Sequence, residues 1–117
     1  MTIERFEDLL VWQKAKELTV IVYSIFRESR DFGFRDQIQR ASVSIMNNIA
    51  EGFERKGAKE YSRFLYIAKG SAGEVRSMLY AAVELGYIDK EIFDRCYNLA
   101  EEISKMLAGL IRKIGER

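Results

Sequence analysis

A chain of 117 residues, 48% apolar and 12% aromatic, is long enough for one domain with a packed core, which excludes a disordered tail. Nineteen Lys and Arg against eighteen Asp and Glu leave a formal charge of +1, which excludes a polycation drawn to every phosphate. One cysteine excludes an internal disulfide, and the absence of proline beside abundant Leu, Ile, Ala, Glu, Lys and Arg argues for long helices and an all-α class.

Residues 6–29 read as the first helix, with Val11, Ala15, Leu18, Val22 and Ile25 along one side. Its second half, residues 20–26, is apolar most of the way round, so either this helix is central or a second subunit covers its back. That run is interrupted by Ser24 and is far too short to span a bilayer. No charged n-region followed by an apolar stretch opens the chain, so a reducing cytoplasm is the expected compartment, without membrane contact. Residues 31–34 hold the first turn, with Gly33 available for the left-handed conformation that ends a helix.

The second helix is expected over residues 34–55, stopped by Gly57. Ile38, Ala41, Ile45, Ile49 and Gly52 gather on one side, flanked by Met46 and Phe53, while Arg40, Ser44, Asn47, Glu51 and Arg55 gather on the other. The third helix follows over residues 59–85 with a long stripe from Tyr61, Phe64 and Leu65 through Ala68, Ala72 and Val75 to Leu79, Ala82 and Val83. Gly70 and Gly73 interrupt it, and two mid-helix glycines suggest a place where another backbone comes close. Gly86 closes this helix. Asp89 then caps the fourth, with Ile88 and Phe93 placed as a hydrophobic staple. Ile92, Cys96, Leu99, Ile103, Leu107, Leu110 and Ile114 repeat at three or four residues until Gly115. Four helices joined by short turns predict one domain over residues 1–117, an antiparallel up-down-up-down four-helix bundle.

The chemistry on offer is narrow. No histidine is present, so the usual general base near neutral pH and the commonest metal ligand are both missing. A di-iron bundle needs Glu-x-x-His pairs. Cys96 sits on an apolar stripe, where cysteine behaves as a small buried hydrophobe. No phosphate-binding glycine loop or nucleophile elbow occurs. A non-enzyme without metal or cofactor is expected.

Two constellations remain. The first is the polar line Arg40, Ser44, Asn47 and Glu51, with Asn48 at the edge of the apolar face; buried amides and an Arg–Glu pair can fix the register between helices or subunits. The second is basic and aromatic. Tyr66, Lys69, Gly73, Arg76 and Tyr80 share one side of the third helix, and Arg55, Lys56, Lys59 and Arg63 cluster around the turn before it. Lys and Arg pair with phosphate, and exposed tyrosines stack on unpaired bases. Residues 35–76 hold eight basic against five acidic side chains, so the positive excess lies there.

Several runs in order resemble the bacterial four helix bundle protein family, known from intervening sequences inside large-subunit ribosomal RNA genes. They are Phe6, Glu7, Asp8 and Leu9 with Val11, Trp12 and Ala15; Arg40, Ala41, Ser42, Val43, Ser44 and Ile45 with Asn48, Ile49, Ala50, Glu51, Gly52, Phe53 and Arg55; Glu60, Tyr61, Arg63, Phe64 and Leu65 with Ala68, Lys69, Gly70 and Ser71; and Glu84, Leu85, Gly86 and Tyr87. The resemblance implies a four-helix bundle assembled as a homopentamer, a relation to accessory proteins of diversity-generating retroelements, and no catalytic residues. Met46 stands where many relatives carry proline, and Gly57 and Ala58 where many offer a serine cap. The expected function is a homo-oligomer that binds RNA or DNA through the basic and aromatic surface. The alternative is a scaffold or accessory subunit for a protein partner such as a reverse transcriptase.

Overall fold

The computed structural model describes residues 2–115, and everything below concerns those residues. A short 3-10 turn, Phe6–Asp8, precedes α1 (Leu10–Phe26), α2 (Phe32–Glu54), α3 (Ala58–Glu84) and α4 (Lys90–Gly115). The body measures 45 × 21 × 21 Å. At 1.5 Å per residue the longer helices span about 40 Å, so they run along the long axis. Each helix packs on its neighbours in sequence and α1 also packs on α4, while the backbones of α1 and α3, and of α2 and α4, stay more than 8 Å apart from Cα to Cα. The contacts of α2 with α3 run antiparallel: Gly52 meets Tyr61 and Phe64, Ser44 meets Ser71, and Gln37 meets Glu74.

The expected stripes are the core. Val11, Ala15, Leu18 and Val22 of α1, Ile38, Ala41, Ile45 and Ile49 of α2, six residues of α3 from Leu65 to Ala82, and Cys96, Ile103, Leu107 and Ile114 of α4 are all buried. Burial pushes the Cys96 thiol above its ordinary pKa, in keeping with an inert side chain. Two buried hydroxyl residues join them on the α1–α2 seam. Thr19 Oγ1 donates within 2.9 Å of the Ala15 carbonyl and 3.1 Å of the Ser42 carbonyl, and Ser42 Oγ donates to the Gln39 carbonyl at 2.8 Å. The back of α1 is open in the single chain, with Val20 63% and Tyr23 41% exposed. The helix is peripheral, not central.

The helices depart from expectation in three places, two at their ends and one inside α3. The first helix does not run unbroken from residue 6, because Leu9 is extended (φ −72°, ψ 123°) and separates the 3-10 turn from α1. Gly33 does not end α1; it lies inside the first turn of α2, which Asp31 caps by accepting from the Phe34 N–H at 3.1 Å. A polar side chain with a local acceptor outcompetes the mere permissiveness of glycine here. Nor do Gly70 and Gly73 mark a close approach of backbones within the chain: a Cβ at Gly70 would meet nothing within 4 Å, and one at Gly73 only the Arg76 guanidinium. The left-handed conformation occurs at Gly57 (φ 99°) and Gly86 (φ 76°). At Gly86 the N–H of Tyr87 returns to the Ala82 carbonyl and that of Gly86 to Val83, closing α3 in a Schellman motif. Asp89 caps α4 through the Ile92 N–H at 2.8 Å, with Ile88 buried and Phe93 against the core, as the staple predicts.

The two turns at one end are tied together. Tyr87 donates its hydroxyl to Asp31 Oδ2 at 2.6 Å while Oδ1 caps α2. The tyrosine hydrogen bond, then the Phe34 N–H, hold the Asp31 carboxyl below its ordinary value of 3.8. A depressed folded pKa contributes stability that is complete above the unfolded value and is lost as pH falls through the folded one. Thermal melts from about pH 7 down to about pH 3 should therefore show acid destabilisation that is shallower in Tyr87→Phe, which removes the larger cause. Equal slopes in the two proteins would break this account.

Candidate functional site

The α2–α3 turn gathers the first part of the basic and aromatic set. Glu54 ends α2, Gly57 reverses the chain, and α3 begins at once without a side-chain cap, so Arg55, Lys56, Lys59 and Arg63 fall within two helical turns of each other, all exposed. Their charges are not equally available. Arg55 Nε contacts Glu51 at 2.9 Å and Arg63 Nε contacts Glu60 at 2.8 Å. The Arg63 hydrogen bond holds Glu60 below the ordinary carboxylate range. Both guanidinium groups also lie over the Phe64 ring, at 5.1 and 4.5 Å from its centroid. Lys56 and Lys59 have no salt bridge among the described residues. Beside them Tyr66 is 62% exposed. With Lys59, Arg63 and Ile114 it lines an open depression of about 530 Å³ between the start of α3 and the end of α4.

The rest of the stripe is separate. Lys69 is half-buried one turn further along, and Tyr80 lies about 21 Å from Tyr66 by helical rise. Its ring is engaged with α4, 5.2 Å from Phe93 and 5.4 Å from Tyr97, and those two stack on each other at 5.3 Å. A hydrogen bond with Tyr97 raises the Tyr80 pKa. Arg76 is partly buried and folds back over Gly73, and its Nε has no hydrogen-bond partner among the described residues. In the sequence Phe93 reads only as half of the staple and Tyr97 carries no mark; only the register of α4 against α3 brings them to Tyr80.

The polar line of α2 divides too. Ser44 and Asn48 turn into the α2–α3 seam, where Ser44 Oγ meets Ser71 Oγ at 2.9 Å and Asn48 Nδ2 donates to the Ser44 carbonyl at 2.8 Å and to its hydroxyl at 3.0 Å. Arg40, Asn47 and Glu51 remain exposed. Ser71, named in the sequence only among the residues that carry the family resemblance, is the partner that completes this cluster; its signal is its polarity on a face turned toward α2. Among the described residues no group of three or more His, Cys, Asp or Glu side chains is placed to hold a metal ion, and no helix is long and apolar enough to cross a membrane.

The fold is shared with a solved structure, a protein of unknown function from the S23 ribosomal protein family of Bacteroides thetaiotaomicron VPI-5482. It superposes with a TM-score of 0.82 at 28% identity, covering 87% of this chain and 98% of that one. No curated protein matches the chain. Residues 7–109, which run from the 3-10 turn into the last third of α4, match the family described as 23S rRNA-intervening sequence protein, and the chain belongs to that family.

Proposed function

We propose that the protein is a non-enzymatic, cytoplasmic homopentamer of up-down-up-down bundles that binds RNA through the α2–α3 turn. The observation that carries this reading is the exposed Tyr66 ring, which lines an open depression with Lys59 beyond the α2–α3 turn, where neither Lys56 nor Lys59 has a salt bridge among the described residues. A stacking surface flanked by uncommitted positive charge suits unpaired nucleotides. Assembly would repeat this small patch around a ring, and simultaneous engagement multiplies affinity without raising the charge of one chain. Short connections and the antiparallel contacts of α2 with α3 support the bundle topology, and the bare back of α1 supports assembly. Light scattering at micromolar concentration should report a species about five times the chain mass; a strict monomer removes the avidity argument.

The binding test is a salt series with single-stranded and structured RNA. Lys56→Ala with Lys59→Ala should weaken binding and reduce the slope of log K against log salt by about two per engaged patch, while Tyr66→Ala weakens binding with the slope unchanged. Arg76→Ala with Tyr80→Ala should do less, since Arg76 folds back over its own helix and the Tyr80 ring is engaged with Phe93 and Tyr97 of α4. Absence of binding at low salt would sink the reading.

A second reading, a scaffold for a protein partner, is supported by the exposed Ile67 (42%) and Leu85 (58%) on α3 and just beyond it. Nuclease-resistant recovery of one stoichiometric protein from the native host would favour it.

A further inference from the structure

The seam between α2 and α3 opens, toward the start of α2, into a groove of about 570 Å³. It exists because small residues face it: Gly33 and Ala41 from α2, and the two serines at its floor. Its walls carry Asp36, Gln37 and Arg40 from α2 and Glu74 from α3. None of these takes part in the RNA-binding turn.

The hydrogen-bonding inventory of this groove does not close on itself. Ser44 and Ser71 share one hydrogen bond, which consumes one of their two hydroxyl protons, and the amide of Asn48 supplies a further donor to Ser44. One serine hydroxyl proton therefore has no acceptor among the described residues and is available to a ligand in the groove. The charges are likewise half-matched. Asp36 is neutralised by Arg35 at 3.0 Å. Arg40 has no carboxylate within salt-bridge distance among the described residues, and Glu74 has no cation, only the Gln37 amide nitrogen at 3.2 Å. That amide leaves the Gln37 carbonyl free to accept. Gln37 and Arg40 are three residues apart on one helix, so their Cβ atoms stand about 5–6 Å from each other and both side chains serve the same groove. One end offers a guanidinium and a hydroxyl proton. The other offers a carboxylate and an amide carbonyl.

We propose that this groove binds a small zwitterion of the free α-amino acid class, with its carboxylate on Arg40 and the spare serine hydroxyl and its ammonium on Glu74 and the Gln37 carbonyl. A ligand with one charge satisfies only one end and leaves the other uncompensated, so the site selects for both charges on one molecule. The groove is open along the seam, which leaves room for the side chain of the bound amino acid.

The test is calorimetric titration of the assembled protein with each free proteinogenic α-amino acid, with propionate and propylamine as single-charge controls. At least one amino acid should bind saturably with a Kd below about 1 mM, and both controls at least about tenfold more weakly. Arg40→Ala and Glu74→Gln should each weaken that binding about tenfold or more with Tm unchanged, since both side chains are exposed and fill no core space. Ser71→Ala should weaken it less. Failure of every zwitterion to bind, controls binding as well as the amino acids, or binding that neither charge substitution alters would each overturn the proposal. RNA binding by the turn is measured independently and stands or falls without it.

Discussion

Gly52→Leu should lower the unfolding free energy by about 3 kcal/mol, and even Gly52→Ala by about 1 kcal/mol. On helix propensity alone the alanine substitution ought to stabilise, because glycine in a helix interior costs about 1 kcal/mol relative to alanine. Sterics decide the sign. A Cβ at Gly52 would stand 2.8 Å from Phe64 Cβ, 3.2 Å from Tyr61 Cδ1 and 3.2 Å from the Tyr61 carbonyl oxygen. Two of those atoms are fixed to the α3 backbone, so relief requires α3 itself to move away from α2. Gly70→Ala is the matched control, since its Cβ would meet nothing within 4 Å, and it should stabilise by about 0.5–1 kcal/mol. Denaturant unfolding of both variants reads the contrast. Stabilisation by Gly52→Ala comparable to that of Gly70→Ala would mean that the two helices do not approach so closely. The approach also matters to binding, because it lies one turn before Arg55 and sets where the α2–α3 turn presents Lys56 and Lys59.

That pair of glycines shows what a sequence can and cannot say here. Periodicity places Gly52 in line with Ile38, Ala41, Ile45 and Ile49, and all five are buried, so its face is legible. What periodicity lacks is depth: it cannot tell a glycine facing a partner helix at contact distance from one at a loosely packed or solvent-facing position. Gly70 and Gly73 look more deliberate because they come as a pair, yet both are unconstrained within the chain. Helix termini fail for a similar reason. Gly33 is permissive anywhere, whereas Asp31 caps α2 through the Phe34 N–H, a local bond that propensity does not record. Asp89 was readable because cap and staple coincide within the six residues from Ile88 to Phe93.

The candidate surface was legible at the turn and not beyond it. Arg55, Lys56, Lys59 and Arg63 are neighbours in sequence and remain so in space, since a three-residue connection allows nothing else. Their pairing was not legible. Glu51 and Glu60 divide the cluster into two ion-paired arginines and two lysines without a salt bridge among the described residues. Tyr66 and Tyr80 are equivalent on a helical wheel, but α4 reaches one with Ile114 near its end and the other with Phe93 and Tyr97 near its start. Equivalence on one helix ends where a second helix packs against it.

Phe26→Ala should cost about 3–5 kcal/mol, the other large effect expected in this bundle. Phe26 ends α1 at 1% exposure, its ring 5.8 Å from Phe34, which in turn meets Tyr87 edge-on at 5.4 Å. Removing it hollows the end of the bundle where Tyr87 and Asp31 tie the two turns together. Native domains of this size hold only about 5–15 kcal/mol in total, so Tm should fall by about 10 °C or more. Phe26→Leu, which keeps most of the volume, should cost about 1 kcal/mol. The double variant with Tyr87→Phe should lose less than the sum of the two single losses, because the hydroxyl clasp depends on the ring that Phe26 supports. The α2–α3 turn lies at the far end of α2, about 33 Å away by helical rise. Below its lowered Tm, Phe26→Ala should therefore bind RNA with the wild-type affinity and salt slope. Weakened binding by the folded variant would show that the binding surface reaches the opposite end of the bundle, and would move the site off the Lys56 and Lys59 turn.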